Sequence, residues 1–472
     1  MQPFSSENNI TVRLRYPNTI GKLSEVTGAI AEAGGRIGSI TIVRTEKTHI
    51  IRDFSLNAAS KAHASKLKST IQGVPNVEMI DTWESNYKLR EGGKLEIVST
   101  ARLKDYVDLS MACNTELSRI SSAIHKDQSA ARVNTIRNNI VGIVTNGTSV
   151  LGLGNIGSAA ALPLLEGKAV LFKELSRVNA FPICLDVKDT ASMIEMVRAI
   201  SCTFGAISLE AIAAPACFEI ERELTDAIDI PILHDNQHST AAVMAAALIN
   251  ALKITGAAAN NLRAVVCGAG AVGTACARML LHLDIGDIVV CDRKGAIHAG
   301  RNDLPPHKRW LADNTNSEKR AGDLSSVLEG SNIFIGAAGA NILRPSDVRV
   351  MEKDSIVFVL SNPVSEIDPE ELEDFAAIVA TGRSEYPNQI NNALCFPGLF
   401  RGLLESRAQR VTREMLRAAA KAIADVIPES ELRPDYIIPG VFNDLVASAV
   451  SNAVVAAANS PRFPRTPVYF EY

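Results

Sequence analysis

The first eighty or so residues keep changing their hydrophobic period. "NITVRLR" alternates apolar and polar positions as a half-buried strand does, and "IGKLSEVTGAIAEAG" repeats at helical spacing up to Gly34-Gly35. "RIGSITIVRT" and "THIIRDFSLNA" read as two more strands, "SKAHASKLKSTIQG" as a helix and "NVEMIDTW" as a closing strand. The order βαββαβ over 8–85 predicts a ferredoxin-like unit of the split βαβ kind. A polar, glycine-containing segment, "NYKLREGGKLE", then reads as a linker. From there strands and helices alternate to about residue 460, the pattern of an α/β protein with mostly parallel sheets. The chain divides on this pattern into 8–85, 94–255, 256–460 and an extended tail, 461–472, that carries three prolines.

Composition narrows the setting. With 472 residues, 47% of them hydrophobic and 21% charged, the chain can bury about three sizeable cores. A net charge of -4 argues against nucleic acid or an anionic membrane as the main partner. Eight scattered cysteines, with no C-x-x-C pair, read as reduced thiols, and "MQPFSSENNITVRLR" has no secretory pattern, so a cytoplasmic protein is expected. The most apolar stretch, 241–259, is interrupted by Asn250 and Lys253 and reads as a buried helix rather than a membrane span.

The clearest chemical signal is "LRAVVCGAGAVGTACARMLLHLDIGDIVVCD". An apolar strand runs into Gly268, Gly270 and Gly273, a helix follows, and a second strand ends in Asp292. The first glycine permits the tight turn, the second lets the backbone approach a pyrophosphate, and the third lets helix and strand pack closely. Asp292 is placed for a ribose 2′-hydroxyl, which favours NAD, while Arg293 and Lys294 could accept the 2′-phosphate of NADP. Later strands ending near Ala337, Ser361-Asn362 and Thr381-Gly382 complete a Rossmann-type sheet. A second glycine run, Gly152, Gly154 and Gly157, precedes "KAVLF", read as an apolar strand beginning at Lys168, and is taken as a turn in another domain.

"ILHDNQHSTAAV", Ile232 to Val243, is open on its own terms. His234 and His238 at i, i+4 suit a helical zinc pair. Equally, the stretch is a strand end whose Asp235 or Ser239 caps the next helix.

Longer motifs carry a resemblance. "VTNGTSVLGLGNIGSAAALPLLEGKAVLFKEL", "NAFPICLDVKDT", "PACFEIERELTDAIDIPILHDNQHSTAA", "SNPVSEI" and "TGRSEYPNQINNALCFPGLFRG" closely resemble bacterial malic enzymes over 94–460. The leading unit resembles an ACT domain, with Asn18 and Gly21 at its first turn and Ile20 where ACT turns carry proline. That likeness implies an amino-acid-like ligand, the alternative being a dimerisation module without one. The resemblance implies a malic-enzyme substrate domain at 94–255, a Rossmann NAD(P) domain at 256–460, a divalent Mg²⁺ or Mn²⁺, and a homodimer or larger assembly. It further implies oxidation of (S)-malate or a related 2-hydroxy acid by NAD(P), then decarboxylation and protonation of the enol.

Carried over residue by residue, the family's base is Lys168 of "EGKA", and Asn362 and Asn392 are its substrate-holding amides. Other positions depart from the pattern. Cys113 in "LSMAC" stands in the slot of the acid tyrosine, with Tyr106 seven residues before it. Among the metal-site carboxylates Glu210 and Asp235 remain, whereas Ala211 and Asn236 replace two family ligands. The histidines then become scaffold. The expectation is a malic-enzyme-type oxidoreductase and decarboxylase with its acid and two metal ligands replaced. The alternative is a non-catalytic, regulatory relative that binds nucleotide and an ACT ligand.

Overall fold

The computed structural model describes residues 8–84, 92–101, 103–113, 115–461 and 466–469; the side chains of residues 111, 113, 115 and 116 also lie outside the description. The chain forms two compact units, Met1–Lys94 and Leu95–Tyr472.

In the first unit, β1 (Ile10–Pro17), β2 (Arg36–Thr45), β3 (His49–Asn57) and β4 (Glu78–Glu84) form an antiparallel sheet of order β2-β3-β1-β4. Ile10, Val12, Leu14 and Tyr16 alternate along β1 onto one buried face. That face is covered by Val26 and Ile30 of the helix Lys22–Glu32 and by Leu67 and Ile71 of the helix Lys61–Gln72. Gly21, at φ 90, turns the chain out of β1 into the first helix, and the Ser60 side chain caps the second by accepting from His63 N. This is the ferredoxin-like topology.

The second unit holds two parallel sheets. β5 (Ile140–Thr145), β6 (Asn179–Cys184), β7 (Ala206–Leu209) and β8 (Ile232–His234) order as β6-β5-β7-β8. β9 (Arg263–Cys267), β10 (Asp287–Asp292), β11 (Gly295–Ala296), β12 (Ile333–Gly336), β13 (Ile356–Val359) and β14 (Ile378–Thr381) order as β11-β10-β9-β12-β13-β14, with only the short β11 antiparallel. Among the described residues no helix is long and apolar enough to cross a membrane.

The helix Asp235–Thr255 joins the two sheets. It is buried on nearly every side, and its alanines pack in one core with Val141 and Ile143 of β5, Ala264 and Val266 of β9, and the C-terminal helices. Asn250, read from the sequence as an interruption, donates from Nδ2 to Ala424 O at 2.9 Å and Ile437 O at 3.0 Å. A buried amide with both its donors used pins the helix to the C-terminal segment.

One element differs from its sequence reading. "KAVLF" is not a strand; it lies inside the helix Leu162–Ser176, which has Pro163 in its first turn. Leu165, Lys168, Ala169 and Phe172 form its buried stripe, so a lysine stands where a helix normally presents an apolar side chain. A short apolar run has no period of its own, and here the following element, β6, starts only at Asn179.

Asn250→Ala is expected to cost about 2 kcal/mol, because it removes the donor of Ile437 O and leaves Ala424 O only the 3.4 Å bond from Ile427 N. Thermal denaturation should show a melting temperature lowered by several degrees, with the coenzyme turn unaffected.

Candidate active site

Chain order reverses between β9 and β12 in the larger sheet and between β5 and β7 in the smaller one. Parallel sheets bind ligands beyond strand C-termini at such points. Both edges line one cleft of about 370 Å³. The smaller sheet brings Ser149, Glu210 and Asn236 to it, and the larger brings Ala337, Ser361, Asn362 and Gly382. Lys168 comes from the helix Leu162–Ser176 and Asn392 from a loop beyond β14.

The cleft floor is a buried ion cluster. Lys168 Nζ lies 2.5 Å from Glu210 Oε2 and also donates to Asp235 Oδ2; Phe396 presents its ring face 4.7 Å below it. Asn392 Nδ2 donates to the same Asp235 oxygen at 2.8 Å. Burial works against the charge on Lys168, but Asp235 and Glu210 outweigh it and hold the lysine above its ordinary value, as an ammonium. Burial, together with the neighbouring charge of Asp235, pushes the Glu210 carboxyl up to about 7, against the pull of Lys168 and a hydrogen bond from Asn236. Ala211 is buried at φ 53, a left-handed conformation that aspartate tolerates better than alanine.

Behind the cluster the histidines have partners. Glu221, on the helix Ala216–Ala227, accepts from His234 N at 2.7 Å and from His238 Nε2 at 2.8 Å. Gln237 Nε2 bonds His234 Nδ1 at 2.8 Å, and burial pushes His234 down to about 4, keeping it neutral. Burial opposes the charge on Glu221, yet His238 and His234 hold its carboxyl below the ordinary range. His238 Nε2 meets Glu221 and His234 Nδ1 meets Gln237, while His234 Nε2 is buried without a hydrogen-bond partner, so the two rings are held by different neighbours. Neither Asp235 nor Ser239 caps the helix; His234 is the N-cap residue, without a side-chain cap bond, and Asp235 turns to Lys168.

The dinucleotide turn is built for its ligand. A Cβ on Gly273 would lie 1.8 Å from Gly268 O, and one on Gly268 would lie 2.4 Å from Ala337 O, so both positions are closed to any side chain. Gly270, the N-cap of the helix Ala271–His282, faces open space, leaving a bare backbone and free N–H groups for a pyrophosphate. These residues fit NAD or NADP. Asp292 ends β10 as its position requires, but both its oxygens are engaged: Arg301 lies at 2.9 and 3.2 Å and Lys308 at 2.7 Å. These cations hold its carboxyl down at about 2, against the effect of burial.

A divalent metal fits less well. The two carboxylates of the cleft share one lysine, and Ala211 offers no donor. Asp235 Oδ1 and Glu210 Oε2 are buried oxygens without a hydrogen-bond partner, the second facing Lys168 at 2.5 Å, two donors where Mg²⁺ or Mn²⁺ wants several anionic oxygens. Among the described residues no group of three or more His, Cys, Asp or Glu side chains could hold a metal ion.

Of the residues singled out from the sequence, Lys168, Glu210, Asp235 and Asn392 meet directly. Asn362 lines the same cleft and donates to Gly382 O at 3.4 Å. Cys113 ends the helix Tyr106–Cys113 and its side chain lies outside the described residues; Tyr106 is exposed. Glu221, Gln237 and the Phe396 ring were not visible as site residues in the sequence. The spacing Glu-x₁₂-His, from a helix to a strand end, carries no local signal.

Val272 of the dinucleotide turn thus lines the same cleft as Lys168 and Glu210, an arrangement suited to hydride transfer to a nicotinamide. Comparisons with known proteins agree. Residues 114–225 match the family description "Malic enzyme, N-terminal domain" and residues 237–459 match "Malic enzyme, NAD binding domain". The chain is 44% identical over 456 residues to an NAD-dependent malic enzyme of Geobacillus stearothermophilus, covering 97% of this chain and 95% of that one. It is 45% identical over 368 residues to a bifunctional malic/malolactic enzyme of Bacillus subtilis, covering 78% and 90%. The crystal structure of an NAD-dependent malic enzyme from Thermotoga maritima superposes with a TM-score of 0.75 at 40% identity, over 78% of this chain and 98% of that one. The chain belongs to the malic enzyme family, whose members include NAD- and NADP-dependent oxidoreductases.

Two coenzyme predictions follow from the geometry. Gly273→Ala should weaken NADH binding at least tenfold in a fluorescence titration, since its methyl group meets backbone. Asp292→Ser frees Lys308 and leaves Arg301 paired with Asp303, and should raise the NADPH-to-NADH affinity ratio at least tenfold in the same assay.

Proposed function

We propose that the chain is an NAD(P)-linked oxidoreductase and decarboxylase of (S)-malate or a closely related 2-hydroxy acid. The observation that carries this reading is the Lys168–Glu210–Asp235 cluster, bonded by the amide of Asn392, in a cleft also lined by Asn362 and by Val272 of the dinucleotide turn. The amides orient the substrate's carboxylate and hydroxyl. NAD or NADP, held on the turn of Gly268, Gly270 and Gly273, would supply the acceptor for the hydride of C2. As the hydride leaves, the hydroxyl proton passes to Glu210, whose carboxyl burial pushes up to about 7. The products are a 2-oxo acid and reduced coenzyme. Where the substrate carries a carboxylate on C3, loss of CO₂ leaves an enolate, its oxygen held by the Lys168 ammonium, that takes a proton at that carbon.

Lys168 polarises the developing carbonyl oxygen and orients both acids. Asp235 holds Lys168 in place and is itself fixed by Asn392. The Glu221–His238 pair anchors the first turn of the helix that carries Asp235. The leading ferredoxin-like unit is read as an ACT-like regulatory module for an amino-acid-like ligand, and the assembly as a dimer or larger.

The test is reduced-nicotinamide absorbance with (S)-malate and a panel of 2-hydroxy acids, each with NAD or NADP. Lys168→Ala should lower turnover at least a thousandfold while NADH still binds. Absence of turnover with every acid, in protein that binds NADH, would sink the enzymatic reading and leave the non-catalytic one.

A further inference from the structure

We infer that the Lys168 ammonium takes the place of the divalent cation in this chain: it is the fixed positive charge of the cleft, and ligand binding needs no metal. The inference deepens the function proposed above, but its first test stands apart from turnover.

Three observations carry it. Lys168 Nζ sits between Glu210 and Asp235, within hydrogen-bond reach of both, so the two remaining acids already share a cation. Asn236, at the position of a lost acid, lines the cleft with Glu210 as a neutral amide, so the repulsion between two carboxylates that a cation must bridge is absent. Ala211, at the other lost position, keeps a left-handed backbone at φ 53 but brings no charge.

The charge count agrees. Ala211 and Asn236 stand, uncharged, where the resemblance expects two further carboxylates. The two replacements remove as much negative charge as the metal would have offset. The loss of ligands and the loss of need for the ion are therefore one electrostatic change.

The experiment is Mn²⁺ uptake by the full-length protein loaded with NADH, followed by the electron paramagnetic resonance of free Mn²⁺. Wild type should take up no Mn²⁺ at millimolar concentration in a manner sensitive to Glu210→Gln. Ala211→Asp combined with Asn236→Asp should create a site at least a hundredfold tighter, on a backbone already suited to aspartate at 211. Lys168→Met, which removes the internal cation and keeps the volume, should raise Mn²⁺ affinity at least tenfold and serves if the double variant does not fold. A wild-type site within tenfold of the double variant's affinity, abolished by Glu210→Gln, overturns the inference. Calorimetry of (S)-malate binding in EDTA and in Mn²⁺ is the second arm. Equal affinity supports the inference, and binding only with Mn²⁺ defeats it. No malate binding in either condition counts against the proposed substrate, and the Mn²⁺ titration still decides the metal.

Discussion

Three charged groups of unlike sign are buried together at the floor of one cleft, and a buried charge is tolerated only when it is paired. Each of Lys168, Glu210 and Asp235, taken from water alone, would cost several kcal/mol, so each requires the other two in place. That requirement reaches outward. Lys168 must come from a helix packed by Phe172 and Phe396, Glu210 from the end of β7, and Asp235 from the first turn of a fully buried helix. A displacement of any of these elements would strand an ion in the core. The site and the fold of the second unit therefore stand on the same contact.

The helix Asp235–Thr255 shows how that contact is held. Its long alanine-rich run lets two sheets approach closely around a single rod, since small side chains allow close packing on every side. Both sheets then turn their C-terminal edges to the same cleft, one carrying acid–base groups and the other the coenzyme turn. Glu221 and the two histidines fix the helix start from below. What looked from the sequence like a string of metal ligands is divided by the fold. Asp235 points to the cleft floor and the histidines to the scaffold.

The departures at 211 and 236 gain meaning only in that setting. In a line of sequence they are two missing ligands. In three dimensions Asn236 lines the cleft with Glu210 as an uncharged amide, and the lysine between the acids supplies the positive charge. The family's reaction needs positive charge at a developing oxyanion, and a protein can place that charge on a side chain as well as on an ion.

Local patterns determined much. The alternation of β1 and the helical periods around it give the ferredoxin-like unit, because each element there buries one regular face. The dinucleotide turn was legible because its glycines answer to backbone contacts a few residues away. Lys168 was assigned to a strand because five apolar-rich residues carry no period; packing against Phe396 and Phe400 decides for the helix. The ion cluster itself lay beyond sequence reasoning from residues alone. Lys168 and Asp235 are 67 positions apart and Asn392 and Asp235 are 157 apart, and no local rule sets such distances. Sequence named the groups through short-range periodicity and family motif; only the tertiary structure decided which charges meet, because pairing in a core is settled by where whole elements pack.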